Sequence, residues 1–252
     1  MSRVALITGV GRRIGIGAGI AERLASDGWD IAITYWTPYD DRMPWGRQPT
    51  DTAAIEASLR DRGARVVSIS ADLADTAQPQ LVFDAVEAVM GPVRALVLSH
   101  AEGVDSGILD TSIESFDRHF AVNARASWLL IREFATRFTA TAGSGRIVAL
   151  TSDHTVFNLP YGSSKAALDR IVIAAARELG ERGITSNVVN PGPIDTGWMT
   201  PELAAELAAH TPSGRLGTPR ETAALVSFLL SDEGGWINGQ LLYSDGGFST
   251  KG

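Results

Sequence analysis

Short runs of β-branched and apolar residues recur along the chain, and each is followed by a longer segment with helical spacing. The runs predict strands at Val4–Ile7, Asp30–Tyr35, Arg65–Ser70, Ala95–Ser99, Arg146–Thr151, Thr185–Asn190 and Gln240–Tyr243. The intervening periodicity predicts helices at Gly15–Gly28, about 51–62, Gln78–Met90, about 112–139, Tyr161–Arg182 and Pro219–Leu230, with short helices before the last of these. Strands separated by helices of this length need right-handed crossovers, which leave a parallel sheet covered on both faces. The expected fold is therefore α/β: a doubly wound, mostly parallel sheet of Rossmann type, with about seven strands. No repeat, low-complexity tract or linker divides the 252 residues, so residues 1–252 are read as one domain.

Bulk composition narrows the function. Apolar residues at 44% and charged residues at 20% are ordinary for a globular protein, and a formal charge of −7 argues against a nucleic-acid or anionic-membrane surface. The absence of cysteine excludes disulfides, thiolate nucleophiles and thiolate metal sites. His100, His119, His154 and His210 are scattered without ligand spacing, so no metal is expected. No apolar run approaches membrane-spanning length, and "MSRVALITG" is too short and too near the start for a signal peptide, so a cytoplasmic location is the expectation.

Residues 6–25, "LITGVGRRIGIGAGIAERLA", put glycines between the first strand and the first helix. The strict G-x-G-x-x-G spacing fails, because Ile14 or Ile20 falls where the third glycine belongs. Context carries more weight. In a doubly wound sheet, ligands sit beyond the C-terminal strand ends, where Thr8 to Gly17 lies. Glycine lets backbone approach a ligand, and a helix starting at Gly15–Gly17 offers free N–H groups to a pyrophosphate. No G-K-[ST] closes the loop, so a P-loop is a poor rival.

Residues 151–170, "TSDHTVFNLPYGSSKAALDR", carry the reactive groups. Tyr161 and Lys165 are one helical turn apart and share a face, with Pro160 suited to the helix entrance. A phenol titrates near pH ~10, so proton transfer near neutrality asks for a cation beside it, which Lys165 supplies. Ser152 ends the preceding strand, "GRIVALTS", and can hydrogen-bond a substrate oxygen.

Taken together and in order along essentially the whole chain, these motifs resemble the short-chain dehydrogenase/reductase family, most similarly its 3-oxoacyl-carrier-protein reductases. Thr8-Gly9 followed by Gly15-Ile16-Gly17 looks like the family's T-G-x-x-x-G-I-G turn, two residues longer, with Arg12-Arg13-Ile14 in the inserted region. That longer spacing is similar to the enoyl-acyl-carrier-protein reductases of the same superfamily, although those space tyrosine and lysine further apart than Y-x-x-x-K. The resemblance implies a catalytic set of Ser152, Tyr161, Lys165 and Asn123, the asparagine of "HFAVNARASWLL" supporting a proton relay through the lysine. It also implies a nicotinamide dinucleotide held by Gly9, Arg12, Arg13, Gly15, Ile16, Gly17, Trp36, Asp72, Leu73 and Ala101, together with Tyr161 and Lys165. Pro191, Gly192, Ile194 and Thr196 of "NVVNPGPIDT" match the N-x-x-x-P-G-x-x-x-T segment that lines the nicotinamide. The stretch from Arg215 to Gly247 is similar to the family's C-terminal R-x-G-x-P-x-E…D-G-G pattern.

Three departures stand out. The family's N-N-A-G is replaced by Ser99-His100-Ala101-Glu102, with Gly103 next door; the interval from Ser152 to Tyr161 is short; and Tyr35 and Trp36 end the second strand where NAD users carry an acid, with Asp40 and Asp41 further out. Arg12 and Arg13 can pair with a 2′-phosphate, so NADP is the expected cofactor, with NAD the alternative. Substrate contacts are expected from His154, which is otherwise an ordinary loop histidine, and from Trp198 and Met199, either an apolar cover or simple packing, in a lid at about 193–217. The implied activity interconverts a ketone and a secondary alcohol on a small molecule, with a 3-oxoacyl thioester as the nearest model. Enoyl-thioester reduction and a catalytically idle nucleotide-binding sensor or scaffold are the rivals. By the same resemblance a homo-tetramer, or a dimer, is expected.

Overall fold

The computed structural model describes residues 3–139 and 143–250. Seven strands make one sheet in the order β3-β2-β1-β4-β5-β6-β7, and every pairing is parallel. They are β1 (Arg3–Thr8), β2 (Trp29–Tyr35), β3 (Val66–Ser70), β4 (Val93–Leu98), β5 (Gly145–Leu150), β6 (Ile184–Asn190) and β7 (Leu241–Tyr243). The central strands β1, β4, β5 and β6 are apolar on both faces and almost wholly buried, as a sheet covered on two sides requires. Helices α1 (Ile16–Ser26), α3 (Asp51–Asp61) and α9 (Pro219–Leu230) cover one face; α4 (Gln78–Met90), α6 (Ala126–Arg137) and α7 (Leu159–Glu178) cover the other. Two further helices, α2 (Thr37–Arg42) and α8 (Pro201–His210), lie outside these layers. The chain reverses direction across the sheet between β1 and β4, which leaves a crevice above their C-terminal ends.

Two expectations need correction. The helix expected over about 112–139 is broken into α5 (Ile113–His119), a π-helical turn (Phe120–Arg125) and α6. Ser112 caps α5, its hydroxyl accepting the Ser115 N–H at 3.1 Å. The wider π turn then brings Val122, Asn123 and Ala124 inward together. Apolar periodicity does not register one extra residue in a turn, so this break is not visible in the sequence pattern. The polar segment after β2 is likewise not a plain loop, since Thr37–Arg42 forms α2.

A buried histidine joins the crevice floor to the π turn. His100 Nε2 lies 3.0 Å from the Val122 carbonyl, which only accepts, so Nε2 carries the proton. Nδ1 then accepts from the Thr8 hydroxyl at 2.6 Å, and that hydroxyl oxygen in turn accepts the Ser99 N–H at 3.2 Å. Burial, reinforced by the Lys165 charge, pushes the imidazole down to about 3. The folded protein thus excludes a proton that the unfolded chain binds below its ordinary value near 6.5.

Two outcomes follow. His100 contributes nothing against folding above pH ~6.5, and costs up to about 1.4 kcal/mol per pH unit as pH falls from there towards ~3; urea titrations at pH 7 and 5 should show a weaker pH dependence in His100→Asn than in the parent. Phe134, 1% exposed on α6 with its ring centre 5.5 Å from that of Phe138, is expected to cost about 3–5 kcal/mol when truncated to alanine, read from the urea midpoint at constant m.

Candidate active site

A cavity of about 640 Å³ opens above the C-terminal ends of the central strands. Its base is the turn after β1. Gly9 has φ +74°, and a Cβ there would stand 2.5 Å from the His100 Cα, so the turn after β1 and the loop after β4 touch backbone to backbone. The first turn of α1 follows with Gly15 at its N-cap, no side-chain cap and no acidic residue, which leaves its N–H groups open to an anion. Gly9, Gly15, Ile16, Gly17 and Arg12 all line the cavity. Arg13 does not. It is exposed on the outside of the turn, with its backbone N–H on Asp51 Oδ2 at 3.1 Å.

The adenosine-side wall expected from the sequence is present, with Trp36, Asp72, Leu73 and Ala101 lining the space. So are Pro191, Gly192, Ile194 and Thr196 after β6. Gly192, at φ +67°, leaves no room for a Cβ against Asp245, which pins this turn to the C-terminal segment. The segment 193–217 is tied at both ends, the Gly217 N–H to the Pro193 carbonyl at 2.9 Å and the Asp195 N–H to the Gly217 carbonyl at 2.9 Å. Between these ties Trp198 and Met199, with Leu203 and Leu207 of α8, face the cavity, as does His154.

The reactive groups meet here. Pro160 sits in the first turn of α7, and Tyr161 and Lys165 follow on the face turned to the cavity. Lys165 is 2% exposed, its Nζ donating to the Leu150 carbonyl at 2.9 Å and lying 5.7 Å from the Tyr161 ring centre. Ser152 lies just past β5 on the same cavity wall, its oxygen accepting the His154 N–H at 3.2 Å. Burial pushes the Tyr161 phenol up to about 12, opposed by the neighbouring Ser152 hydroxyl as a hydrogen-bond donor. Burial also brings the Lys165 amine down to about 8, while Asp169 one turn on works the other way. The expectation that the lysine lowers the phenol is thus reversed in this state. The ammonium is spent on a carbonyl, and desolvation of the phenol outweighs it.

Asn123 is fully buried behind the cavity rather than lining it. Its Oδ1 accepts the Glu102 N–H at 2.8 Å, and its Nδ2 donates to the Glu102 carbonyl at 2.9 Å and to Ser164 Oγ at 2.8 Å. Ser164 Oγ in turn donates to the Tyr161 carbonyl at 2.8 Å.

Several lining residues had no signal that motif reading could use. Tyr39, Asp40 and Trp45 fold back from the segment after β2 into the cavity. Asp40, expected to lie further out, is buried beside Gly11 and accepts from Trp45 Nε1 at 2.9 Å. Arg12 stacks on the Trp45 ring at 4.5 Å and donates to the Thr196 carbonyl at 2.9 Å. The Tyr39 hydroxyl donates to the Gly103 carbonyl at 3.2 Å. The unusual Pro and Trp content of "WTPYDDRMPWGRQPT" was the one available hint. Among the described residues there is no cluster of three or more His, Cys, Asp or Glu that would hold a metal ion, and no helix long and apolar enough to cross a membrane.

Comparison with known proteins agrees with this layout. A family model described as Enoyl-(Acyl carrier protein) reductase matches residues 9–249. An uncharacterized oxidoreductase of Bacillus subtilis, YjdA, is 35% identical, covering 98% of this chain and 96% of its own. An NADPH-dependent aldehyde reductase-like chloroplastic protein of Arabidopsis thaliana is 38% identical, covering 98% and 94%. Among solved structures, a blue fluorescent protein from a metagenomic library, in complex with NADPH, superposes with a TM-score of 0.87 at 33% identity, covering 98% of both chains. A short-chain dehydrogenase/reductase from Serratia marcescens also gives 0.87, at 31% identity and again over 98% of both. With a family model matched over nearly its full length and relatives this similar from end to end, the chain belongs to the short-chain dehydrogenase/reductase family.

Proposed function

We propose that the protein is an NADP(H)-dependent oxidoreductase that interconverts a ketone and a secondary alcohol, with a 3-oxoacyl thioester or a related small carbonyl compound as substrate. The observation that carries this reading is the convergence of Ser152, Tyr161 and Lys165 on one cavity beside the glycine turn. The cavity suits a dinucleotide: the close backbone approach at Gly9 and the uncapped start of α1 make a cradle for a pyrophosphate, and the remaining walls are mostly apolar. Gly9, Gly15, Ile16, Gly17 and Arg12 would hold the phosphate side, and Pro191, Gly192, Ile194 and Thr196 the nicotinamide side. When bound, the nicotinamide supplies the hydride equivalent.

The chain's own groups do the rest. Ser152 donates a hydrogen bond to the carbonyl oxygen and fixes its position. Tyr161, fully protonated at neutral pH, gives its proton to that oxygen as negative charge develops there. Lys165 keeps a positive charge within reach of the resulting phenolate, so that phenolate costs less than burial alone dictates. Asn123 acts at one remove, holding the loop after β4 and the first turn of α7 in fixed relation. Arg13 is left out of the cofactor set because it stands outside the cavity.

NADP(H) is favoured by Arg12 in the cavity and by the absence of an acid at the end of β2, and two relatives carry NADPH in their names or titles. Asp40 beside Gly11 is the feature that competes, since a carboxylate there is suited to ribose hydroxyls. Enoyl reduction is the second reading, favoured by the name of the matching family model and by the long glycine turn. Against it stands the single helical turn between Tyr161 and Lys165. A cytoplasmic setting and a homo-tetramer remain part of the proposal, by family resemblance.

Steady-state rates with 3-oxoacyl and 2-enoyl thioesters, each with NADPH and NADH, are expected to favour the 3-oxo substrate with NADPH. Tyr161→Phe should lower that rate by about 10²–10⁴-fold with cofactor binding retained; an undiminished rate overturns the assignment. For the parent, kcat/KM for reduction should decline as pH rises through about 8, where Lys165 loses its proton. Light scattering should give a mass well above the 26.7 kDa protomer, and a monomer mass removes the oligomer from the proposal.

A further inference from the structure

The loop after β4 carries a carboxylate where the family pattern has glycine. Glu102 is almost fully enclosed, its side chain 4% exposed, and a charge so placed has to be paired. Two guanidinium groups pair it from opposite sides. Arg118 of α5 places Nε 3.1 Å from Glu102 Oε2, and Arg42, the last residue of α2, places Nη2 3.0 Å from the same oxygen. Arg118 also reaches Asp72 Oδ1 at 3.4 Å. The backbone of Glu102 is meanwhile held by the Asn123 amide through both its N–H and its carbonyl. Glu102 is therefore fixed at both ends.

The two arginines differ in what carries them. Arg118 belongs to a helix packed against α7 and the π turn. Arg42 is 44% exposed and belongs to the segment 36–47, which runs from the end of β2 across the cavity and puts Tyr39, Asp40 and Trp45 into its lining. Two neutral or delocalised contacts also tie that segment down: the Tyr39 hydroxyl on the Gly103 carbonyl and Trp45 under Arg12. Its ion pair with the groove wall is the one to Glu102.

We propose that Glu102 is a positioning residue for the dinucleotide, fastening the strap 36–47 over the groove through Arg42. A bound dinucleotide is then enclosed by the strap and leaves only when the Arg42–Glu102 pair opens. This rests on the reading that the groove takes NADP(H). The same acid accounts for the loss of glycine in this loop, since its side chain is drawn sideways into the arginine pair.

Hydrogen–deuterium exchange on the full chain without cofactor, combined with NADPH binding followed by fluorescence, tests the latch. Glu102→Gln keeps the backbone bonds to Asn123 and removes the charge, while Arg42→Gln removes the strap's half of the pair at a half-exposed site. Both are expected to speed exchange in peptides spanning 36–47 without changing β1, β4 or β5. Both should also weaken NADPH binding by about tenfold, chiefly through faster release. The double variant should bind no more weakly than the weaker single. Parent-like exchange in 36–47, a Kd within twofold of the parent in Arg42→Gln, or single effects that multiply in the double variant would each overturn the proposal. A parent protein that binds neither NADPH nor NADH overturns the dinucleotide reading itself, and is recognised by failing before any variant is compared.

Discussion

One carboxamide holds the reactive half of this protein together. Asn123 reaches the loop after β4 through both the N–H and the carbonyl of Glu102, and it reaches α7 through Ser164. A single buried side chain thus sets the distance between the cofactor-side loop and the helix that bears Tyr161 and Lys165. The π turn makes this possible. A regular helix over the same residues would rotate each later position by about 100° relative to its neighbour, and one extra residue in the turn is what lets Val122, Asn123 and Ala124 all face inward. Fully buried and with both ends of the amide satisfied, Asn123 is costly to replace, because any substitute leaves buried backbone groups without partners.

The electrostatics of the cavity follow from how dry it is. Burial keeps His100 neutral, the Tyr161 phenol protonated and the Lys165 ammonium easier to discharge than in water. These directions suit a site that hands out a proton. A phenol that keeps its proton at rest and has a cation within reach is prepared to give that proton up when negative charge appears opposite it. The acids on the adenosine side are balanced locally, Glu102 and Asp72 by Arg42 and Arg118. A groove intended for a polyanion therefore tolerates carboxylates in its wall.

Much of the site was legible because its logic is local. The i, i+4 spacing of Tyr161 and Lys165, the serine at the end of β5 and the glycines at the start of α1 each depend on residues a few positions apart. Strand and helix order followed for the same reason, down to seven parallel strands. Arg13 was misjudged because neighbours on a tight turn point opposite ways: Arg12 faces the cavity and stacks on Trp45, while Arg13 faces solvent. Asp40 was misplaced because a polar, proline-bearing segment gives no sign that it folds back to the glycine turn.

The sequence by itself determined the alternation of buried strands and amphipathic helices, and with it the crevice at the β1–β4 switch, since both depend on periodicities within one element. Tertiary structure decided what stands in that crevice. The Glu102–Arg42 pair joins residues 60 positions apart, Arg12 meets Thr196 across 184, and Asn123 meets Ser164 across 41. No pattern along the chain encodes such contacts. They exist because a buried charge or amide has to find a partner once water is excluded, and only the folded chain sets which partners are in reach.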